Sequence, residues 1–304
     1  MPRVIVVPGS IGNLGPGFDT LGLAVSLYLR VTVRRRIDDG KGRLVVHYAR
    51  PRPPGDDGIM RAFGVEPFRR ARPASLEVDV ESDLPERAGL GSSAAAAIAG
   101  LTLRQLCDGP MSTDDMLAAV CRMEQHPDNA AASIFGGLTS SAVDETGHVT
   151  VSRWRWPASW KLVIATPHTE LATKVSRSAL PAAVPLADVV FGLQRLAMLL
   201  NAVETRDASR LAAALADRVH QPYREPLVPV LRRVLDARHP DLLGVCLSGA
   251  GPSVVAIAER NADGVSRAIE DIYRGEGVAC TMRVTRVHQQ PIESDRLPAH
   301  ATGT

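Results

Sequence analysis

Short apolar runs and alternating apolar and polar positions mark the strands of this chain. The β-branched run at residues 4–7 predicts a buried strand that Pro8 ends. Alternation over residues 23–35 predicts a second strand with leucines and valines on one face. The same patterns predict strands over residues 44–48, 75–80, 138–143, 149–154, 161–166 and 244–247, a strand that ends at 258, and a last strand over 278–287.

Apolar residues spaced three and four positions apart predict the helices. An N-capping cluster that begins at Ser112 precedes a helix of about three turns. This helix ends near Glu124, because Pro127 prevents a simple continuation. Further helices are predicted over residues 60–70, 130–135, 169–180, 189–203, 211–219 and 265–273, after the glycines at 89 and 91, and up to residue 235.

The order of these elements predicts the fold class. In the second half of the chain, one strand is followed by three helices, two strands, a helix and a strand, which is typical of an α+β sandwich rather than a doubly wound sheet. We interpret Trp154, Trp156 and Trp160 as a packed seam between domains, in preference to a box that stacks on a cofactor. The predicted domains are 1–156 and 157–290, followed by a disordered tail over 291–304.

The composition narrows the function classes. A length of 304 residues, 45% of them hydrophobic, suits two modest domains or one large domain. A net charge of +2 and an aromatic content of 4% favour neither a nucleic-acid nor a membrane-surface partner. The four cysteines include no Cys-x-x-Cys pair, which argues against a zinc site or a disulfide framework. Without a signal-peptide pattern or an apolar run as long as a membrane span, we expect a soluble cytoplasmic protein.

The segment over residues 84–100 carries the strongest candidate chemistry. Gly89 and Gly91 allow backbone conformations that bring the chain close to a ligand, and an alanine-rich helix follows them. The free N–H groups and the dipole at a helix start favour an anion, most often phosphate. Ser92 and Ser93 add hydroxyls that suit a phosphate oxygen or a magnesium ion. The alternative is a buried alanine-rich helix behind a glycine turn, and the segment is not a Walker A loop.

Two more glycine-rich stretches lie far away in the sequence. Residues 8–22 are dense in glycine and proline, which predicts a shaped loop, either a binding loop or a long connection. Residues 248–253 form a glycine turn between two predicted strands, a weak signal when taken alone. Glu124 is a further candidate, because a carboxylate at a helix C-terminus opposes the helix dipole and so favours a special role.

These motifs together resemble those of the GHMP kinases, a family that includes galactokinases, homoserine kinases, mevalonate kinases and phosphomevalonate kinases. Residues 85–94 match the family's phosphate-binding pattern Pro-x-x-x-Gly-Leu-Gly-Ser-Ser-Ala at every position, and residues 248–253 resemble its third motif. Residues 8–22 carry Asn-Leu-Gly-Pro-Gly-Phe-Asp-x-Leu-Gly, which is similar to the homoserine kinase group in particular. The segments over 124–129, 173–177 and 220–224 resemble that group as well.

The resemblance implies a two-domain GHMP kinase architecture of the α+β class. An N-terminal ATP-binding domain with βαβ elements like those of ribosomal protein S5 would precede a C-terminal α/β sandwich. The implied activity is ATP-dependent phosphorylation of the side-chain hydroxyl of L-homoserine to O-phospho-L-homoserine, a step toward threonine. The alternatives are a GHMP kinase of another small hydroxylated amino acid or related metabolite, and a non-catalytic binding protein with this fold. A homodimer is the default expectation for an enzyme of this size.

The resemblance also implies roles for individual residues. ATP would bind at Pro85, Gly89, Leu90, Gly91, Ser92, Ser93 and Ala94, and magnesium at Ser92 and Glu124. The substrate would contact Asn13, Asp19, His126, Asn129, Thr173, Arg177, Arg224 and Gly249. The catalytic set would be Asp19, Ser92, Glu124 and Arg177.

The chemistry of these side chains suits the implied roles. A guanidinium fork matches a carboxylate with two parallel hydrogen bonds. A loose phosphoryl-transfer transition state needs positioning and charge neutralisation more than a strong base, so we give Asp19 a binding and orienting role, with general base as the alternative. Asp57 and Gly58 stand where the family has Asn-Leu near the adenine pocket, which leaves the nucleotide preference open.

Overall fold

The protein is described here by a computed structural model that covers residues 3–50, 57–65 and 69–292. Of the predicted disordered tail over 291–304, residues 293–304 lie outside the described residues. The described chain is of mixed α+β class, as the order of its elements predicted.

The strands and helices have the following bounds. The strands are β1 Arg3–Gly12, β2 Leu21–Ile37, β3 Leu44–Tyr48, β4 Ser75–Ser82, β5 Leu138–Val143, β6 Val149–Trp154, β7 Lys161–Pro167, β8 Leu242–Leu247, β9 Val254–Ala258 and β10 Cys280–Thr285. The helices are α1 Gly58–Phe63, α2 Ser92–Asp108, α3 Thr113–Glu124, α4 Asp128–Phe135, α5 Thr173–Ser178, α6 Leu186–Thr205, α7 Leu211–Ala214, α8 Gln221–Arg224, α9 Leu231–Leu235 and α10 Ala262–Gly275. Short 3₁₀ turns lie at Ala208–Arg210 and Glu225–Leu227.

The strands of the N-terminal half form one sheet. Its order is β3-β4-β2-β5-β6, and β1 also pairs with β2. β3 and β4 are parallel and are joined through α1, which makes a βαβ unit, whereas the other pairs in this part of the described chain are antiparallel. The apolar side of α2 and α4 packs on this sheet, with Ala95, Ile98 and Ile134 almost fully buried.

The C-terminal half contains a second sheet in the antiparallel order β10-β7-β9-β8. Both faces of the inner strands β7 and β9 are buried, which explains the continuous apolar runs of these two strands. Along β7, Leu162 and Ile164 pack into the core shared with the N-terminal half, while Val163 and Ala165 pack into a second core beneath α10. Because successive side chains of a strand point to opposite faces of the sheet, the two faces of this sheet contribute to two different cores.

The interpretation of the tryptophans as packing residues agrees with the structure. Trp156 and Trp160 are each 2% exposed and meet edge to face, with ring centroids 5.5 Å apart. After β10 the chain returns to the N-terminal sheet, where His288 N–H donates to the Ala24 carbonyl over 3.1 Å. The domain boundaries at 156 and 290 stay predictions.

Several expectations about element bounds are wrong, and the helix expected over 169–180 spans only Thr173–Ser178. Pro8 does not end the first strand, because a register irregularity between Pro8 and Gly9 accommodates the residue without an N–H and the strand continues to Gly12. The helix expected over 60–70 stops at Phe63 and is capped by Gly64. The helix expected over 211–219 has only four residues, since the Asp217 carboxylate accepts backbone N–H groups of residues 219–221 and begins a new turn.

Helix α6 corrects a further expectation. By length and composition alone this 20-residue helix, with a mean hydropathy of 1.5 over an 18-residue window, is apolar enough to cross a membrane, so the expectation that no apolar run approaches that length is wrong. A single such helix is weak evidence for a membrane. Leu186 and Leu193 on this helix are 78% and 61% exposed.

Candidate active site

A cavity of about 830 Å³ lies between the two halves of the described chain. The wall contains fourteen of the predicted site residues, brought together from distant parts of the sequence: Asn13, Asp19, Gly89, Gly91, Ser92, Ser93, Ala94, Glu124, His126, Asn129, Thr173, Arg177, Arg224 and Gly249. The other two predicted residues, Pro85 and Leu90, are not among the described residues that line the cavity. Leu90 is instead fully buried in the core, where its side chain anchors the loop.

The glycine loop enters α2 in the left-handed conformation. Gly89 and Gly91 have φ of 75° and 68°. A Cβ at Gly89 would lie 2.3 Å from the Ser248 carbonyl oxygen, and one at Gly91 would lie 2.2 Å from Ser10 Oγ. Only glycine satisfies both the backbone angle and the space at these positions. Gly91 is the N-cap and has no side chain to cover the first-turn N–H groups of α2, which makes this helix start suited to an anion.

Neighbouring segments hold this loop in place. Ser248 Oγ donates to the Gly89 carbonyl over 2.6 Å, and Ser10 N–H donates to the Leu90 carbonyl over 3.1 Å. The three glycine-rich stretches of the sequence therefore meet at one point of the fold, which neither their spacing nor their composition could reveal.

Glu124 lies at the end of α3 and faces the start of α2. Its Oε1 accepts a hydrogen bond of 2.7 Å from Ser93 Oγ and lies 3.6 Å from an Arg61 guanidinium nitrogen. The Glu124 side chain is only 11% exposed. The hydroxyl in contact with Glu124 thus belongs to Ser93, while Ser92, the residue predicted to share a metal with Glu124, lines the cavity one position earlier.

The donor set near Glu124 suits magnesium in one respect. Within the described ranges no three His, Cys, Asp or Glu side chains converge as a ready metal cage. Magnesium commonly takes one or two carboxylates and completes its shell with phosphate and water oxygens. A single carboxylate in contact with the Ser93 hydroxyl, in a cavity that Ser92 also lines and at a helix start suited to an anion, fits that pattern.

Asn13 fastens the loop between β1 and β2 to the glycine turn at 248–253. It has a positive φ of 72°, and its Nδ2 donates to the Gly249 carbonyl over 2.9 Å. Its Oδ1 accepts the Asp19 N–H over 3.0 Å. Both ends of the Asn13 amide therefore hold protein backbone, and this fixes where the Asp19 carboxylate lies.

Asp19 and Arg177 form a bidentate ion pair across the cavity. Arg177 Nη1 and Nη2 donate to Asp19 Oδ2 and Oδ1 over 2.9 and 2.8 Å. The two side chains are 43% and 32% exposed for Arg177 and Asp19 respectively, so the pair is reachable from the cavity. The hydrogen bonding of Arg177 to the Asp19 carboxylate raises the pKa of Arg177, although the partial burial of Arg177 acts in the opposite direction.

Arg224 is a buried cation on the same wall. It is 2% exposed, and its Nη1 donates to the Gly249 carbonyl over 2.9 Å. Burial, with Arg177 nearby, lowers the pKa of Arg224 to about 10. Its Nε is buried and has no hydrogen-bond partner among the described residues. A buried guanidinium with an unmatched N–H is costly unless an anion completes it.

His126 and Asn129 also line the cavity, beside Asp128. His126 Nδ1 and the Asn129 N–H both donate to Asp128 Oδ1, over 2.7 and 2.8 Å. Burial alone would lower the pKa of His126, but the hydrogen bond to Asp128 and the negative charges of Asp128, Asp19 and Glu124 raise it above its usual value. Asn129 Oδ1 accepts from Ser10 Oγ over 3.0 Å.

Four residues that shape this site were not predicted from the sequence. Asp128 reads as an ordinary first-turn helix acid, and Ser248 as a turn residue. Phe18 and His220 lie inside motifs that were noted, yet their roles depend on contacts with Arg177 and Arg224. Thr173, in contrast, was predicted and lies exposed at the first position of α5 on the cavity wall.

Comparison with known proteins gives consistent results over nearly the whole chain. The family models described as "GHMP kinases N terminal domain" and "GHMP kinases C terminal" match residues 59–137 and 199–275. The homoserine kinase of Solibacter usitatus is 38% identical, with 90% of each chain covered. The homoserine kinase of Moorella thermoacetica is 35% identical, with 92% of this chain and 95% of that protein covered.

Solved structures share the fold. A homoserine kinase from Cytophaga hutchinsonii superposes with a TM-score of 0.79 at 24% identity, covering 95% of this chain and 96% of the other. A Lactococcus lactis galactokinase in complex with galactose superposes with a TM-score of 0.69 at 11% identity, covering 95% and 94%. At these identities the likeness establishes the two-domain architecture, and it carries no information on the acceptor.

Proposed function

The chain belongs to the GHMP kinase family, and on that premise we propose that it transfers the γ-phosphoryl group of ATP to the side-chain hydroxyl of L-homoserine. One observation carries the proposal: a single cavity joins an anion-binding helix start to a buried arginine whose Nε has no partner among the described residues. The first feature suits a nucleotide triphosphate, and the second suits the carboxylate of an amino acid.

The phosphate end of the site is the start of α2. The first-turn N–H groups of Ser92, Ser93 and Ala94 would donate to the phosphate oxygens, and the left-handed Gly91 lets the backbone approach them. The positive end of the helix dipole adds to this attraction without any rearrangement at the moment of reaction.

Glu124 and the hydroxyls of Ser92 and Ser93 would hold magnesium in this reaction. When bound, the ion would neutralise charge that builds up on the phosphate oxygens. Glu124 already accepts a hydrogen bond from Ser93, so its carboxylate is oriented toward the helix start. The small exposed fraction of Glu124 strengthens its interaction with a cation relative to a carboxylate in bulk water.

The acceptor would lie between Arg224, Arg177 and Asp19. Arg224 offers a fixed guanidinium with an unsatisfied N–H, and Arg177 adds a second fork. Asp19 carries the opposite charge and is suited to an ammonium group. A zwitterionic amino acid would give each of these charges a partner, whereas a sugar or mevalonate would not.

The hydroxyl of the acceptor would then lie toward His126 and Asn129, on the side of the phosphates. The raised pKa of His126 favours its protonated form, which adds positive charge near the transferring group. A loose transition state gains more from such charge and from fixed orientation than from early proton removal. We therefore assign no general base, and we give Asp19 an orienting role.

The nucleotide base would occupy the opposite end of the cavity, near Tyr48 and α1. Asp57, which replaces the family's asparagine, caps α1 through its Oδ1 and accepts a hydrogen bond of 2.6 Å from Tyr48 through its Oδ2. Because its oxygens serve the helix and the tyrosine, we propose that the substitution leaves ATP as the donor. The place in threonine biosynthesis is proposed from the names of the relatives, and the cytoplasmic location and the homodimer stay predictions.

An acceptor panel tests this proposal. ADP release is measured with ATP and magnesium for L-homoserine, L-threonine, L-serine, mevalonate and galactose at equal concentrations. We expect L-homoserine to give the highest kcat/KM. A higher value for another hydroxylated amino acid would assign the enzyme to that relative instead. No turnover with any acceptor would favour a non-catalytic binding protein and would refute the proposal.

A further inference from the structure

Arg224 owes its orientation to a second buried side chain. His220 is fully buried, and its Nδ1 lies 3.0 Å from Arg224 Nη1. Its other ring nitrogen, Nε2, lies 2.8 Å from the Gly15 carbonyl oxygen. A carbonyl only accepts, so the proton is assigned to Nε2, and Nδ1 is left as the acceptor for the Arg224 N–H.

Burial and the neighbouring cation favour a neutral His220. Burial lowers the pKa of His220 and the positive charge of Arg224 acts in the same direction, while Asp217, the hydrogen bond to the Gly15 carbonyl and Asp19 act in the opposite direction. Phe18 stacks on the imidazole with ring centroids 5.4 Å apart and planes at 29°. The Arg224 guanidinium lies over the same phenyl ring, with its Cζ 5.4 Å from the ring centroid. A neutral imidazole is thus fixed in its plane.

The arrangement leaves a defined part of Arg224 for a ligand. Nη1 is used by His220 and by the Gly249 carbonyl, while the buried Nε has no partner among the described residues and Arg224 lines the cavity. The guanidinium thus has a protein-bound edge at Nη1 and an open edge at Nε. If the guanidinium could rotate about its last side-chain bonds, these two edges would no longer have fixed positions. Asp217 lies 3.5 Å from His220 Nε2 and holds the backbone at the start of α8.

We infer that His220 is a positioning residue, which fixes Arg224 so that its open edge receives the carboxylate of the acceptor. This inference rests on the proposed function, because it supposes that Arg224 binds that carboxylate. It goes further by assigning specificity for the carboxylate to a side chain that does not itself reach the substrate. His220 would matter through one hydrogen bond, from Arg224 Nη1 to His220 Nδ1.

Two substitutions distinguish the hydrogen bond between His220 and Arg224 from the hydrogen bond between His220 and the Gly15 carbonyl. In His220→Asn, the amide oxygen can take the place of Nδ1 and still accept from Arg224, while the bond to Gly15 is lost. In His220→Gln, the amide nitrogen can take the place of Nε2 and still donate to Gly15, while the bond from Arg224 is lost. Each variant keeps one of the two contacts and has a similar polar volume.

The measurement is the steady-state KM for L-homoserine, compared with that for the amino alcohol in which a hydroxymethyl group replaces the carboxylate. We expect His220→Gln to raise the homoserine KM roughly tenfold or more, the scale of a lost hydrogen bond from a charged group, with a smaller change in kcat. We expect His220→Asn to stay within about threefold of wild type. The preference for homoserine over the amino alcohol should fall only in His220→Gln.

Several outcomes would overturn the inference. Equal homoserine KM values in the two variants would do so, as would an equal rise for the amino alcohol, since a purely structural role moves both acceptors alike. Calorimetric binding of L-homoserine and the unfolding temperature of each variant separate affinity from folding. If Arg224→Gln leaves the preference for homoserine unchanged, the proposed carboxylate site fails, which is distinguishable from a failure of His220.

A measurement on the wild-type protein covers the case in which both variants misfold. Nitrogen-15 NMR of labelled histidines reports which ring nitrogen carries the proton. We expect an unprotonated Nδ1 at His220, with a signal that moves when L-homoserine is added. A proton on Nδ1, or a signal unaffected by saturating L-homoserine, would contradict the positioning role.

Discussion

Arg177 donates a hydrogen bond to each carboxylate oxygen of Asp19, although the two residues lie 158 positions apart in the sequence. Without a substrate, each side chain satisfies the other. An amino acid that carries both an ammonium and a carboxylate group could replace this pair with two new ones, so that no charge is left unpaired. An acceptor with only one of the two charges would open the pair and leave Asp19 or Arg177 uncompensated.

The ion pair predicts how the enzyme discriminates against acceptors with a single charge. We expect wild type to prefer L-homoserine over 4-hydroxybutyrate, which lacks the amine, and Asp19→Asn to narrow that preference by about tenfold. The ratio of kcat/KM for the two acceptors is the measurement. Arg177→Gln and the double variant complete a cycle whose effects should be non-additive, because the residues are in contact. Additive effects would contradict the exchange of partners.

Arg224→Gln should raise the KM for L-homoserine by about tenfold to a hundredfold, since a charged hydrogen-bond donor set is lost at a buried position. The KM for ATP should change little, because Arg224 lies at the acceptor end. Initial rates at varied homoserine and varied ATP give both values. An unchanged homoserine KM would remove Arg224 from the carboxylate site.

Glu124→Gln should lower kcat and raise the magnesium concentration needed for half-maximal rate. The glutamine oxygen can still accept the hydrogen bond from Ser93, so the fold should persist. The negative charge of the side chain that would bind magnesium is lost. Glu170→Gln is the matched control, because Glu170 is also a carboxylate on the cavity wall and pairs with Arg87 at 3.1 Å. A magnesium titration of the rate compares them, and identical curves for both variants would count against Glu124 as a ligand.

Gly91→Ala should weaken ATP binding by about tenfold or more, because the added Cβ collides with Ser10 and displaces the loop. Gly277→Ala is the control: its φ of 70° resembles the 68° of Gly91, but the new Cβ would meet nothing within 4 Å. Both variants carry similar backbone strain, so only the first should lose nucleotide affinity. Calorimetric ATP titrations test this, and equal losses would mean that strain alone acts.

The contact between His126 and Asp128 predicts a pH-dependent term in stability. Since the folded pKa of His126 is raised, the term is fully present below the unfolded value of about 6.5 and is lost as the pH rises through the folded pKa. The destabilisation caused by His126→Gln should therefore be larger at about pH 6 than at about pH 8. Urea unfolding at both pH values measures it. In an Asp128→Asn background the difference should shrink, because only the charges of Asp19 and Glu124 still raise the pKa of His126, and an unchanged difference there would point to another group.

Local sequence signals predicted much of the fold but only part of the site. The hairpin of β5 and β6 and strand β3 have the predicted bounds, because alternation and turn residues act over a few positions. The break at Asp217 was not predictable, since it depends on a carboxylate that turns back to cap its own backbone. Pro8 within β1 depends on a bulge against the partner strand.

The features of the site also fall into two groups, those set by neighbouring residues and those set by contacts between distant segments. The glycine loop and the acid at the end of α3 carry their chemistry in neighbouring residues, and their positions could be predicted. That Ser93 contacts Glu124, that Asp128 orients His126, and that His220 holds Arg224 all follow from packing between segments that are distant in the sequence or from side-chain direction. No pattern of residue types specifies which hydroxyl or imidazole points where.

The most direct test of the account is to identify the phosphorylated product. The protein is incubated with ATP, magnesium and L-homoserine, and the product is examined by phosphorus–proton correlation NMR. We predict a phosphate monoester coupled to the terminal methylene protons of homoserine, formed in equal amount to the ADP released. ADP release without that ester, or no release while L-homoserine binds, would contradict the assignment of this chain as a homoserine-phosphorylating kinase.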